Sequence, residues 1–323
     1  MSHSDPFWRL RGMKHSNAII TALSIVLLLL SFASCKKDSN TDLPEQTILV
    51  PELKTLTQKY APVVQQFTYK NEDGLSINGF RGTRIELQPF TFGNASGEVR
   101  IELREVYTRK DMLGAGIYTE TNDGRLLSSL GMFEIKAYRG ATLVEAQKDA
   151  AVSMALLPGS SPTDTKVFKL VRYTDSIDGS LIERWVEYDE NWTADSSAAG
   201  RCKFNFNINT WCNLDRYLAY NGETNALKVV LPAGFGSANT VAYFHLNGVN
   251  GLGVLYVNNA DKHFYSLNSK SGDAGKIILT ALKNNVYYKK ELSFTFSSMP
   301  QTFTVTEMEA TDKAGLEAIL SAF

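Results

Sequence analysis

The chain has 323 residues, of which 44% are hydrophobic and 21% charged, a composition that supports a packed core and excludes a disordered or collagen-like protein. Its 33 basic and 34 acidic side chains give a net charge of −1, which excludes a globally basic nucleic-acid binder, so no nucleic-acid partner is expected. A single hydrophobic core rarely serves more than about 250 residues, so the length predicts at least two domains.

The N-terminal residues have the features of a secretory signal. An apolar run at residues 18–33 follows three basic residues and ends just before Cys35, which is the usual order of a charged region, an apolar region and a processing site. We therefore predict a signal peptide over residues 1–34, with a shorter leader starting at Met13 as an alternative.

Cys35 is the candidate lipidation site. The preceding Ser31-Phe32-Ala33-Ser34 resembles a bacterial lipobox, although Phe32 stands where Leu is usual. The alternatives are an ordinary cleaved signal with an incidental cysteine, or an uncleaved anchor, for which the apolar run is shorter than the ~20 residues of a membrane span. Acyl chains on Cys35 would hold the mature protein on a membrane.

The residues after Cys35 are polar and lack hydrophobic periodicity, so residues 35–48 are predicted to form a lipidated, flexible tether. Lys36-Lys37-Asp38 also resembles the export signal of surface lipoproteins in the Bacteroidota. The predicted location is therefore the outer membrane, with the chain on the cell surface or on the periplasmic face. Removal of residues 1–34 takes away three basic residues and one acidic residue, which lowers the net charge from −1 to −3.

The remaining sequence predicts a mainly β protein. A short helix is expected from Pro51, ending before Pro62. Short alternating runs broken by Asn, Asp and Gly follow to about residue 300, and two of them, at 66–70 and 75–77, predict a hairpin. Lys283-Asn284-Asn285 predicts another hairpin turn, and Asp312 is expected to cap a C-terminal helix. The predicted fold is a series of consecutive β-sandwich domains with short N- and C-terminal helices.

Residues 157–164 contain Pro, Gly, Ser and Asp and form the clearest linker by composition. We therefore place a first β-sandwich domain at residues 49–158 and a second β region at residues 165–323. One subdivision of the second region gives two small β-sandwiches, at about 165–222 and 223–310, with the C-terminal helix after them.

Two patches of the sequence resemble a group of Bacteroidota cell-envelope lipoproteins. The first runs from Ser128 to Ala137 and contains Ser-x-x-Gly-Met-Phe-Glu-Ile, and the second runs from Trp211 to Tyr217 and contains Trp-x-Asn-x-Asp-Arg. The function of that group is mostly unassigned. The resemblance implies an exported lipoprotein with consecutive β-sandwich domains, and it implies no catalytic residues.

Cys202 and Cys212 remain after lipidation of Cys35. An even pair in an exported chain predicts either a disulfide or two buried free thiols. Phe204, Phe206 and Ile208 alternate between the two cysteines, and a straight strand of that length would hold its ends about 30 Å apart. A disulfide therefore requires this segment to bend.

Acidic residues on alternating runs are candidates for glycoside hydrolysis, which needs two carboxyl groups about 5 to 10 Å apart. They are Glu102, Glu105, Glu183, Glu187 and Asp189. The alternation favours a solvated strand face for most of them. The sequence contains no Gly-x-Ser-x-Gly, phosphate-loop or His-Glu-x-x-His motif, and His245 and His263 alone are too few for a zinc site. We therefore expect no catalytic residue, metal or cofactor.

Two further residues are candidate sites. Trp192 lies among polar turn-forming residues and is the candidate exposed aromatic contact, with a tryptophan tucked over a sandwich edge as the alternative. Ser176, in Asp175-Ser176-Ile177, resembles an acceptor for O-glycosylation in this bacterial group.

The leading hypothesis is a lipid-anchored, non-catalytic cell-envelope protein that binds or scaffolds an unidentified partner and contacts the membrane through its lipid. A glycan-binding accessory lipoprotein is the first alternative; a row of exposed aromatic residues on one sandwich face would favour it, and burial of all three tryptophans in cores would disfavour it. A carbohydrate-active hydrolase is the second, and two carboxylates facing each other in a cleft would favour it.

Overall fold

The computed structural model describes residues 51–121, 124–156, 164–174, 181–218, 227–258, 263–266 and 270–323, which lie in one compact unit. Strands dominate this part of the chain, so the prediction of a mainly β protein is confirmed. The helices are α1 (Pro51–Gln58), α2 (Arg109–Ala115) and α3 (Lys313–Ser321). The strands are β1 (Val64–Lys70), β2 (Leu75–Asn78), β3 (Arg84–Leu87), β4 (Glu98–Val106), β5 (Leu127–Arg139), β6 (Thr142–Val144), β7 (Ala150–Ala155), β8 (Thr165–Thr174), β9 (Leu181–Glu187), β10 (Thr193–Ala194), β11 (Arg201–Phe206), β12 (Cys212–Tyr217), β13 (Leu227–Val230), β14 (Thr240–Leu246), β15 (Gly253–Val254), β16 (Tyr256–Asn258), β17 (His263–Ser266), β18 (Ala274–Lys283), β19 (Val286–Thr295), β20 (Gln301–Thr304) and β21 (Glu309–Thr311).

The first β-sandwich consists of two sheets. Sheet A has the strand order β1-β4-β5-β12-β8-β9, with β6 paired to β5, and sheet B has the order β10-β11-β7-β3-β2. Alternation on β4 shows how they pack, because Val99, Ile101 and Leu103 are fully buried between the sheets while Arg100 and Glu102 are partly exposed on the other face. One apolar face per strand is the pattern of sheet-on-sheet packing.

Strands from both sides of residues 157–163 build this sandwich, and that segment itself lies outside the described residues. Strand β5 pairs with β12 in sheet A, and β7 pairs with both β11 and β3 in sheet B. A division at residue 158 would therefore cut both sheets, and residues 165–222 do not form a sandwich of their own. Composition marks a surface loop, but it carries no information on which strands pair across that loop.

The second β-sandwich consists of sheet C, in the order β16-β17-β13-β20, and sheet D, in the order β15-β14-β18-β19-β21. Strands β18 and β19 form a ten-residue hairpin, with Lys283 opposite Val286. Asn284 and Asn285 have φ angles of 51° and 61°, the left-handed backbone of a two-residue hairpin turn. The predicted turn is confirmed.

A third hydrophobic core joins the two sandwiches. It lies between the outer face of sheet A, the outer face of sheet D and the three helices. Strand β14 is buried on both sides, because Val241 and Tyr243 face this junction core while Ala242 and Phe244 face the interior of the second sandwich. The helices bury Leu53, Leu56, Met112, Leu113, Leu316 and Leu320 in the junction core.

Both terminal helices were predicted, and both are present. Helix α1 begins at Pro51, and α3 follows Asp312, whose Oδ1 accepts a hydrogen bond from Gly315 N at 2.7 Å. This is the N-cap bond that satisfies a free backbone donor at a helix start.

The predicted hairpin at residues 66–70 and 75–77 is wrong. Strand β1 belongs to sheet A and pairs with β4, whereas β2 belongs to sheet B and pairs with β3. The turn between them crosses from one sheet to the other, and Asn71 holds it because its buried Nδ2 donates to Gly93 O and Ala95 O at 2.8 and 2.9 Å.

Candidate functional site

Two of the predicted site residues lie outside the described part of the chain. They are Cys35, the candidate lipidation site, and Ser176, the candidate glycosylation site. Both therefore stay predictions.

Trp192 is a correction to the sequence analysis. Its side chain is only 6% exposed and packs in the core of the first sandwich, and its Nε1 donates a hydrogen bond to Thr165 O at 2.9 Å. The prediction of an exposed contact is wrong, because a loop tryptophan can cover the edge of a sandwich when its N–H finds a backbone acceptor there. Trp185 and Trp211 are also buried, in the junction core. The tryptophans of the described residues therefore form no exposed row.

Cys202 and Cys212 are free thiols in the structure, and both are buried. The chain does bend between them, since β11 belongs to sheet B and β12 to sheet A, and both side chains enter the core of the first sandwich. No disulfide links them, and Cys202 Sγ instead donates to Met154 O at 3.6 Å. Burial raises the pKa of Cys202 to about 11 and that of Cys212 well above its ordinary value, so neither thiol suits nucleophilic chemistry.

The predicted carboxylates are engaged with other groups. Glu102 pairs with Arg100, Glu183 Oε1 lies 2.6 Å from Arg172 Nε, and Glu187 Oε2 accepts from Tyr217 Oη at 3.0 Å. These pairs sit on partly exposed strand faces, as the alternation predicted.

One open groove of about 180 Å³ beside β5 and β6 also holds two carboxylates, Glu134 and Glu145. Lys136 and Arg172 share its lining, and Lys136 Nζ lies 3.3 Å from Glu134 Oε1. Glu134 is thus paired with a cation, which is not the arrangement of two facing acids that glycoside hydrolysis requires.

Glu105 differs from the other acidic candidates because it is buried, with 1% of the residue exposed. Its side chain is on the core-facing side of β4 and lies under the loop between β2 and β3. This loop, residues 79–83, is called the Phe80 loop below.

The Phe80 loop is the tip of a tight hairpin. Gly79 N donates to Thr83 O at 2.8 Å, and Gly82 N donates back to Gly79 O at 3.0 Å. Three residues, Phe80, Arg81 and Gly82, therefore form the turn itself. This is a common loop length for a hairpin with a glycine in the left-handed conformation.

Two buried side chains bind the loop from inside. Glu105 accepts hydrogen bonds from Arg81 N and Thr83 N, each at 3.0 Å, and from Gln65 Nε2 at 2.8 Å. Gln65 Oε1 in turn accepts from Phe80 N at 2.9 Å. A Cβ atom on Gly79 would lie 2.5 Å from the Glu105 carboxyl carbon, so this close approach requires glycine.

Side chains outside the loop fix it further. Arg81 pairs with Asp111, the third residue of α2, and its guanidinium lies 5.9 Å from the centre of the Tyr107 ring. Tyr107 Oη is 2.9 Å from Thr83 Oγ1, and Arg201 Nη2 donates to Gly82 O at 2.6 Å.

Despite these bonds, the Phe80 side chain is 82% exposed. A large aromatic ring is thus presented to solvent on a backbone that cannot withdraw it. Such a ring is a candidate anchor for binding, because aromatic side chains contribute much of the energy of interfaces and a fixed backbone loses little entropy on association.

Sequence reasoning missed this site, although a signal was present. Asn78-Gly79-Phe80-Arg81-Gly82 stands between two alternating runs, at 75–77 and 84–87. An aromatic residue between two glycines in such a short turn has no core to enter, and this distinguishes it from the polar residues usual at hairpin tips.

The two sequence patches that resemble envelope lipoproteins meet in the structure, because β5 and β12 are paired with Asp215 opposite Ser129. Ser129 Oγ donates to Asn213 Oδ1 at 2.9 Å, and Asn213 Nδ2 donates to Asp215 Oδ2. All three side chains are buried. The first patch also supports the Phe80 loop, since a Cβ atom on Gly131 would lie 2.6 Å from a Tyr107 ring carbon.

No protein-family model matches this chain, and no curated protein matches it. Among the solved structures that match is the crystal structure of a gamma-CGTase from alkalophilic Bacillus clarkii, with 9% identity and a TM-score of 0.22. The match covers 74% of this chain and 41% of that chain. We draw nothing about function from a likeness at this TM-score. Among the described residues, no helix is both long enough and apolar enough to cross a membrane.

Proposed function

We propose that this protein is a lipid-anchored, non-catalytic component of the cell envelope that binds its partner through the Phe80 loop. The observation that carries the proposal is the combination of 82% exposure of Phe80 with a backbone held from inside by Glu105 and Gln65. A ring held in solvent by buried hydrogen bonds to its backbone favours a role as an anchor for another surface.

The non-catalytic part of the proposal is supported by how the acidic side chains are used. Glu105 binds backbone N–H groups, Glu102 and Glu183 pair with arginines, and Asp215 is enclosed between strands. Each of these groups contributes to the fold or to surface ion pairs. The open groove beside β5 and β6 is lined by none of these four residues.

The anchor is proposed from the sequence. Cys35 follows a signal-like segment, and residues 35–48 are polar, so the lipid would be joined to α1 through a short tether. This architecture would keep the Phe80 loop close to the membrane surface, either outside the cell or on the periplasmic face.

Two measurements test the proposal in cells. Replacement of Cys35 by Ala should release the protein from the membrane fraction, while Ser39→Ala in the same tether should leave it bound. Protease treatment of intact cells then distinguishes the cell surface from the periplasmic face. Retention of the Cys35→Ala protein with its leader removed would contradict the anchor.

Photo-crosslinking tests the binding site. p-Benzoylphenylalanine in place of Phe80 should form a covalent adduct with the molecule that the loop binds in intact cells, whether that molecule is a protein or a lipid. The same group in place of Leu143, which is 58% exposed on β6, should not. Equal or absent adducts at the two positions would contradict a role for the Phe80 loop in binding.

The glycan-binding and hydrolase alternatives stay predictions, and no observation favours either. The tryptophans that would form a sugar-binding row are buried where they are described, and Glu134, one of the two carboxylates of the open groove, is paired with Lys136.

A further inference from the structure

We infer that the Phe80 loop docks on the phospholipid surface to which the chain is tethered, so that the loop sets the orientation of the two sandwiches on the membrane. This inference rests on the proposed lipid anchor and names the partner of the same site.

The first step is the size and chemistry of the apolar tip. Phe80 and Val63 are two of the most exposed large hydrophobic residues described, at 82% and 75%. They lie near each other, because Phe80 N is bonded to Gln65, two residues after Val63. Two side chains are far fewer than the roughly 20 to 30 residues that each partner contributes to a stable protein interface. They suit shallow insertion at the boundary between lipid headgroups and acyl chains, where a second contact adds to a lipid anchor.

Charged residues near the apolar tip also favour a lipid surface. The mature chain is expected to carry a net charge of −3, yet three basic residues lie at or beside this tip, one of them paired with Asp111. Arg81 is in the loop, and exposed Arg84 follows it on β3. Lys110 precedes Asp111 on α2, and Asp111 is the ion-pair partner of Arg81. Arg84 makes no ion pair with any residue described. Arginine and lysine near an apolar tip match the phosphate groups of a lipid surface.

Tyr60 adds a second aromatic side chain to this surface. Lys110 Nζ and Lys59 Nζ lie 4.7 and 5.0 Å from the centre of the Tyr60 ring. Tyr60 is partly exposed, and its hydroxyl donates to Glu317 O at 3.1 Å. Lys59 Nζ also forms an ion pair with Glu317. Tyrosine is enriched in the zone between lipid tails and water, so a half-buried Tyr60 beside this tip favours a membrane surface.

The described chain begins at α1, which connects the predicted tether to this surface. The chain reaches the described residues at Pro51, and α1 leads through Tyr60 to Val63. Helix α2 contacts both parts of this surface, since Lys110 lies over Tyr60 and Asp111 pairs with Arg81. Residues 36–50 can span at most about 50 Å. The chain that follows the tether therefore leads through α1 to this surface, and a tether of that length would let the surface reach the membrane.

The test uses the full acylated protein in vesicles that contain lipids brominated on their acyl chains, which quench nearby tryptophan. Phe80→Trp is compared with Leu143→Trp, whose site pairs with Tyr138 at the far end of β5 from the Phe80 loop. The emission of the unsubstituted protein is subtracted. We expect brominated lipid to quench the tryptophan at position 80 at least about twofold, and the tryptophan at position 143 very little, because only the former reaches the acyl chains.

A charge variant gives a second readout. Arg84→Glu on the Phe80→Trp background should reduce the quenching and make it weaker still in vesicles with anionic lipid, because the new carboxylate is repelled by the phosphates. Unchanged quenching in this variant would overturn the role of charge.

Flotation separates the inference from the proposal on which it rests. Protein that floats with the vesicles while the tryptophan at position 80 stays unquenched would overturn docking and leave the anchor intact. Protein that does not float would overturn the anchor itself. A protein adduct from the photo-crosslinker at position 80, together with an absence of quenching, would show that the loop binds a protein and would overturn the lipid assignment.

Discussion

Two buried carboxyl groups in the first sandwich, Glu105 and Asp215, have opposite surroundings. Glu105 accepts three hydrogen bonds, two of them from the backbone of the Phe80 loop. Asp215 accepts one from Asn213 at Oδ2, while its Oδ1 has no partner at hydrogen-bond distance among the described residues. Burial raises the pKa of Asp215 well above its ordinary value, and the nearby Ser129, Asn213 and Leu130 offset only part of this rise.

The difference shows that burial alone does not give an acid its role. A carboxylate surrounded by N–H donors organises the backbone that supplies them. A carboxyl group enclosed with too few donors is more stable with its proton on, and it then acts as a neutral polar residue between strands. In this protein the first arrangement holds the Phe80 loop, and the second lies where the two sequence patches meet.

The largest effect is expected at Glu105. Glu105→Ala should lower the free energy of unfolding by about 3 kcal/mol, because buried Thr83 N and Gln65 Nε2 lose their acceptor. Glu102→Ala, on the outer face of the same strand, should cost less than about 1 kcal/mol, as a partly exposed ion pair does. Urea unfolding followed by tryptophan fluorescence measures both. Equal losses of unfolding free energy for the two variants would mean that the buried hydrogen bonds of Glu105 stabilise the fold no more than the exposed ion pair of Glu102.

The sequence predicts the burial of Glu105 when the apolar alternation of β4 is followed to the end of the strand. Val99, Ile101 and Leu103 alternate into the core, and Glu105 is the next residue in that phase, so the expectation of a solvated face is wrong for this position. Its partners were not predictable, because the Phe80 loop reaches Glu105 only after β2 and β3 have joined a different sheet from β4. Local pattern gives the face of a strand, whereas the neighbours of that face depend on long-range pairing.

The same limit explains the two misplaced boundaries. Residues 71–74 and 157–164 both have turn composition, and the strands before and after each segment pair differently from what was predicted. The first connects two sheets, and the second interrupts a sandwich whose strands pair across it. By contrast, the Asn284-Asn285 turn and the Asp312 cap were predictable, because each depends on backbone geometry within a few residues.

The next effect concerns Asp215 and pH. Since its pKa is higher in the folded than in the unfolded protein, the native state binds this proton more tightly, and the free energy of unfolding falls as pH rises above about 4, the ordinary Asp pKa. Asp215→Asn keeps an acceptor for Asn213 and cannot ionise. We expect the variant to lose this decline, so that its stability relative to the wild type increases from pH 4 to pH 7.

Chemical unfolding at a series of pH values measures that difference, and Asp189→Asn, at an exposed position on the loop after β9, serves as the control. A constant difference between Asp215→Asn and the wild type across this range would show that Asp215 has an ordinary pKa. The contrast with Glu105 would then rest on hydrogen bonds alone.

A smaller effect is expected at Ser129. Ser129→Ala removes the hydroxyl that donates to Asn213 and accepts from Gly131 N at 3.2 Å. The cost should be about 1 to 2 kcal/mol, since two buried hydrogen bonds of about 1 kcal/mol each are lost. Ser128→Ala, one residue earlier in the same patch and only half-buried, should cost less. A reversed order would indicate that the patch has a use on its exposed face rather than in the cluster with Asp215.

The smallest effect separates the inner and outer attachments of the Phe80 loop. Arg81→Ala removes the ion pair with Asp111 and the contact with Tyr107, yet Arg81 N would still donate to Glu105. The Arg81 side chain is 41% exposed, so the loss of stability should be below about 1 kcal/mol. Tryptophan in place of Phe80 should keep its exposed emission in this variant and change it in Glu105→Ala. The reverse result would mean that the outer ion pair, and not the buried carboxylate, holds the aromatic ring in position.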